Sequence, residues 1–101
     1  MTKSRENTVV VNDLFARRLM VRYLNHRQDD VENLRAALAR QDYESIRKKG
    51  HNLFGSGSAY GLDRVSELGA NLEKTAKRGN GEAIGDLIEA LDAFIRNVRV
   101  I

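Results

Sequence analysis

The chain contains no cysteine, no proline and no tryptophan. Without cysteine there is no disulfide and no thiolate metal site, so packing alone must hold the fold, and a reducing compartment is compatible with that. Without proline nothing forces a helix to stop, which suits an all-helical chain with short connections. No apolar run approaches the roughly 20 residues that a membrane-spanning helix needs. Met1 to Asn7 is polar and lacks the apolar core of a secretory signal. A soluble, cytoplasmic protein without a membrane partner is therefore expected. The two histidines, His26 and His51, have neither H-x-x-x-H nor E-x-x-H spacing, so no metal site is expected. There is no glycine-rich phosphate loop after a strand, no G-x-S-x-G and no convincing pair of acids. Nothing marks a self-contained enzyme.

What is present points to one small domain. The 101 residues are 42% hydrophobic, enough for a single core. The net charge of +3 is a mild excess spread over the chain rather than a basic tail. It reads as solvated helix faces, and no nucleic-acid partner is expected because no binding motif accompanies it. Residues 1–8 read as a flexible tail and 9–101 as the domain.

Helical periodicity fills that domain. Val9 to Val11 is a short β-branched run that either lies extended against the bundle or precedes a helix, with Asn12 or Asp13 as N-cap. From Asp13 to Ala39 the apolar stripe includes Leu14, Leu19, Tyr23, Val31 and Leu34, with a lapse at His26, Arg27 and Gln28 where the helix either continues through a polar turn or breaks near Asp29 and restarts. The next helix is capped by Asp42, runs to about Tyr60 and is followed by Gly61. Leu62 to Arg78 is a third, and Gly79-Asn80-Gly81 a strong turn signal. A last helix runs from Glu82 to about Arg99. Amphipathic helices joined by short connectors imply antiparallel neighbours, hence an all-α, up-down four-helix bundle.

One stretch is written at a cost. Between Ile46 and Leu62 stand Gly50, Gly55 and Gly57, although each glycine inside a helix costs about 1 kcal/mol relative to alanine. At about 100° per residue, Tyr43, Ile46, Gly50, Leu53 and Gly57 share the core-facing side, while His51 lies about 140° from Ile46 and points outward. Gly50 and Gly57 permit close helix approach. Gly55 does not, because it shares the face of His51 one turn further on. Arg47 and Lys48 occupy the preceding turn, and Lys49 is about 160° away from His51. The result is an accessible imidazole with cations behind it and no bulk ahead of it. Imidazole has an ordinary pKa of about 6.5, so it is largely uncharged near neutral pH and can act as a nucleophile.

The run H-N-L-F-G-S-G-S-A-Y-G from His51 to Gly61 resembles the signature of histidine phosphotransfer (HPt) domains, the relay modules of two-component signalling. That pattern has a histidine, an apolar residue two on, usually a lysine three on, a glycine four on, small residues, and a glycine ten on. His51, Leu53, Gly55, Ser56 to Ala59 and Gly61 fit it; Phe54 stands where the lysine usually is. The likeness continues forward through Leu62 to Glu73 and back through Leu34 to Asp42, covering roughly Leu14 to Val100.

The resemblance implies a bacterial, cytoplasmic phosphorelay module. His51 would accept a phosphoryl group from the aspartate of one response-regulator receiver domain and pass it to another, with Arg47, Lys48, Phe54, Gly55 and Ser58 forming its surroundings. The phosphoryl-holding role of the missing lysine would fall to Arg47 or Lys48. Partners would be receiver domains or a hybrid sensor histidine kinase. The protein would bring no cofactor of its own, Mg²⁺ being held by the receiver, and it would be a monomer. The resemblance also implies a short extra N-terminal helix, with the division near Ala16 to Arg18. A second reading makes the chain a non-catalytic adaptor that binds a receiver or kinase through Phe54 without phosphotransfer.

Overall fold

The structure, a computed structural model, describes residues 8–101. Its elements in order are β1 (Thr8–Val9), α1 (Leu14–Ala39), α2 (Tyr43–Ala59), α3 (Asp63–Arg78), α4 (Gly81–Asn97) and β2 (Arg99–Val100). The four helices form the all-α bundle expected from the periodicity. Met1 to Asn7, most of the expected tail, lies outside the described residues, and Thr8 belongs to β1.

The helix ends follow the sequence signals. The carboxylates of Asp13 and Asp42 accept from the backbone N–H of Ala16 and Ser45, and the Asn80 side-chain oxygen accepts from Ala83, which satisfies N-terminal donors that the helices cannot. Gly61 and Gly79 take positive φ of 75° and 64°, the conformation that turns the chain after α2 and α3.

No division separates a short first helix from a long second one. α1 is continuous over 26 residues. The stripe carries no apolar residue from His26 to Gln28 because an ion pair occupies the position that one would fill. Arg27 donates to buried Asp30 at 2.7 Å and lies over the Tyr23 ring, 4.3 Å from its centroid. Lys49 of α2 reaches the same carboxylate at 2.9 Å.

The valine run finds a partner that local sequence does not show. β1 pairs in parallel with β2, Thr8 opposite Arg99 and Val9 opposite Val100. The N–H of Val11 donates to Ile101 and that of Ile101 to Val9, at 2.7 and 2.8 Å. α4 accordingly stops at Asn97, two residues earlier than the apolar pattern suggests.

Leu34, Ile46, Leu53, Leu68, Leu72, Ile84, Ile88 and Leu91 are the largest fully buried side chains, drawn from all four helices. Each such burial contributes about 1.5–3 kcal/mol. Within this core α2 and α3 approach most intimately. A Cβ on Gly50 would stand 2.7 Å from the Gly69 carbonyl oxygen, and one on Gly57 2.5 Å from the backbone nitrogen of Ser66. Real side chains do not fit at such distances, so these glycines set the separation of the two helices.

Candidate functional site

That close approach carries α3 up to the outward face of α2. His51 is two-thirds exposed, and its Nδ1 lies 3.4 Å from Oε1 of Glu73, a carboxylate of α3 that is itself largely covered. An ionised carboxylate can only accept, so in the neutral ring it favours the tautomer with the proton on Nδ1, which keeps the Nε2 lone pair outward. Glu73 also lies 4.0 Å from the Lys77 ammonium. Sequence reasoning singled out neither Glu73 nor Lys77, because one helical wheel cannot show what a second helix delivers.

The expected neighbours of His51 divide into free and engaged groups. Arg47 is turned back onto Glu44, donating through Nε and Nη2 at 3.0 and 2.6 Å. The Glu44 hydrogen bonds raise the arginine above its ordinary value, and the same bonds lower Glu44. Lys48 is exposed and makes no ion pair among the described residues, so it is the freer cation beside His51. Lys49 faces α1 and Asp30, away from the imidazole, as the helical count requires.

Phe54 points to solvent, 53% exposed, rather than turning into the core. A Cβ on Gly55 would meet nothing within 4 Å, so this glycine answers no packing need inside the bundle. It leaves a flat patch between His51 and Ser58. Ser58 is tied to α3: its N–H donates to the Ser66 hydroxyl at 2.7 Å, and its own hydroxyl donates to the same oxygen at 3.0 Å. Ser66, buried, donates in turn to the Phe54 carbonyl at 2.8 Å. The α3 hydroxyl thus bridges two backbone groups of α2 and holds the turn that carries Phe54 and Gly55. Ser66 is a polar residue inside an apolar stripe, and the small Gly57 facing it was the sequence signal for its role.

On the other flank, Tyr23 shares a hydrogen bond of 2.8 Å with Ser56 and stacks on Tyr60 at 4.0 Å between centroids. α2 is therefore gripped on both sides along the length that bears His51.

The family model for the Hpt domain matches residues 18–100. The chain belongs to the Hpt domain family. No curated protein and no solved structure matches it. Hpt domains act in phosphorelay phosphotransfer, with response-regulator or kinase components as their partners. No helix among the described residues is long and apolar enough to cross a membrane.

Proposed function

We propose that this Hpt domain is a phosphorelay intermediate with His51 as phosphoacceptor, between aspartates of two receiver domains. The observation that carries the reading is the pairing of exposed His51 with Glu73 through Nδ1, which leaves Nε2 free of any hydrogen bond among the described residues. Nε2 attacks the phosphorus of a receiver's aspartyl phosphate. The Nε2–P bond forms as the P–O bond to aspartate breaks, and the carboxylate leaves with the electron pair. The ring, still protonated at Nδ1, gains positive charge beside the Glu73 carboxylate, which favours that charge electrostatically. Transfer to a second aspartate reverses these steps and restores the neutral ring.

Lys48 is the cation best placed to offset the phosphoryl charge, since Arg47 is committed to Glu44. Phe54 and Gly55 supply an apolar, level surface for the receiver, which brings Mg²⁺ and its own acidic pocket. The chain has no ATP-binding motif, so it receives its phosphoryl group from a receiver or hybrid kinase rather than from ATP.

The test is transfer from a phosphorylated receiver with Mg²⁺, comparing wild type with His51→Gln. Acid-labile, base-stable label on the wild type alone supports the relay. Label on His51→Gln overturns it. The exposure of Phe54 also suits the adaptor reading: no label, with binding that survives His51→Ala but is lost in Phe54→Asp, would establish that one instead.

A further inference from the structure

The outer face of α1 is not used by the His51 site. Leu14, Phe15 and Val21 stand there 60%, 68% and 45% exposed. Exposed Arg18 and Arg22 lie among them and make no ion pair with a described residue. From Leu14 to Gln28 the sequence has arginines at 17, 18, 22 and 27 and no carboxylate. Beyond that point the same face turns acidic. Asp29 is exposed without an ion-pair partner among the described residues, and Glu32 meets Arg35 only at 3.8 Å while three-quarters exposed.

At about 100° per residue, Leu14, Arg18, Val21, Asn25, Asp29, Glu32 and Ala36 form one stripe, opposite buried Tyr23 and Leu34. Their spacings are four, three, four, four, three and four, the same read from either end with Asn25 at the centre. The charge does not repeat in that way: it is positive before Asn25 and negative after it.

We propose that α1 pairs with α1 of a second copy, antiparallel about a two-fold axis at Asn25. Such an interface is isologous, so every contact occurs twice. Arg18 meets Glu32 of the second copy, and Arg22 meets its Asp29. Leu14 and Phe15 meet its Ala36, whose short side chain leaves room for them. Parallel pairing would set Arg18 against Arg18 and Asp29 against Asp29. An acidic protein or an anionic membrane would satisfy the arginines and be repelled by Asp29 and Glu32. Only a copy inverted end to end complements both halves. Lys49 marks the side of α2 that faces α1, about 160° from His51, so both imidazoles stay open in the pair. The pairing replaces the monomer implied by the family resemblance. Exposed ion pairs are individually weak and screened by salt, so the dimer is concentration- and salt-dependent.

Sedimentation velocity of the full chain tests this. At about 20 mM salt, where screening is weak, the mass should rise with concentration from 11.4 kDa towards twice that value, and fall back at about 0.5 M salt. Arg18→Glu/Arg22→Glu and Asp29→Arg/Glu32→Arg, each alone, should stay monomeric with unchanged helical circular dichroism. Mixed in equal amounts, the two variants should associate, since each supplies the charges the other lacks. The fourfold exchange in one chain should associate with itself. A wild type that is monomeric at every salt and concentration overturns the proposal. So does a dimer indifferent to the reversals, or a failure of the mixture to associate. Binding of the monomer to anionic vesicles or to an acidic protein would assign the face to that occupant instead.

Discussion

Gly50 and Gly69 face each other across α2 and α3 with no room for a methyl group on either. A Cβ on the first would stand 2.7 Å from the second's carbonyl oxygen, and a Cβ on the second 2.6 Å from the first's. Both clashes are with backbone, which cannot rotate away. Gly50→Ala or Gly69→Ala should therefore destabilise the fold, by about 1–3 kcal/mol, despite the better helix propensity of alanine. In a domain of this size that is a fall of roughly 5–15 °C in Tm. Gly55→Ala meets open space and should instead stabilise by about 0.5–1 kcal/mol. If the flat patch serves docking, its transfer rate falls while its Tm rises. Thermal unfolding of the three variants beside a transfer assay separates the two roles.

Glu73 should matter to the chemistry and not to the fold. Glu73→Gln keeps an acceptor for Nδ1–H and loses the charge. At an exposed 3.4 Å contact the loss is worth about 1 kcal/mol, or roughly fivefold in rate. Glu73→Ala loses the tautomer selection as well and should be slower still. Single-turnover phosphorylation at saturating receiver measures the effect. Equal rates for wild type and both variants would remove Glu73 from the mechanism.

Phe54→Ala should act on binding. The side chain is more than half exposed, so stability should change by less than about 0.5 kcal/mol. An aromatic anchor at a docking surface is worth about 2 kcal/mol, so KM for the phosphorylated receiver should rise roughly thirtyfold with kcat nearly unchanged. A fall in kcat alone would place Phe54 in the transfer step rather than in docking.

Much of this was legible in the sequence, and the rest was hidden for identifiable reasons. His51 faced outward and Gly50 and Gly57 inward on a simple helical count, because one amphipathic helix carries that information in itself. The sequence leaves the continuity of α1 past Gln28 open, because Arg27 and Asp30 satisfy each other at a core-facing position, and a hydrophobic pattern registers a paired charge as a gap. The β1–β2 ladder joins residues about ninety apart, a distance over which local propensity says nothing. Glu73 ends the stretch that continues the family likeness, but its proximity to His51 depends on how closely α3 approaches α2. That separation is set by Gly50, Gly57 and Gly69 together, not by any one helix.

The N-cap at Asp42 sets how α2 responds to acid. The Ser45 hydroxyl and backbone N–H both donate to its carboxylate, at 2.6 and 3.1 Å, and hold it below its ordinary value of 3.8. Glu44, in the same first turn, is held below its ordinary 4.5 by the Arg47 hydrogen bonds. A carboxyl depressed on folding contributes stability that is complete above its unfolded value and lost as pH falls through the folded one. Tm should therefore be flat near neutrality and decline once pH drops below 4.5 and then 3.8. Asp42→Asn retains an oxygen that can cap but has no charge to lose. It should start from a somewhat lower Tm near neutral pH and show a shallower decline in acid. If the wild type and Asp42→Asn curves run parallel from pH 7 to 2.5, the cap is not what titrates. The acid sensitivity would then come from Glu44 and from Asp92, where burial raises the carboxyl but the Arg96 and Arg35 hydrogen bonds outweigh it and hold it low. Asp92→Asn would in that case make the decline shallower, because it removes a depressed carboxylate that links α4 to Arg35 of α1.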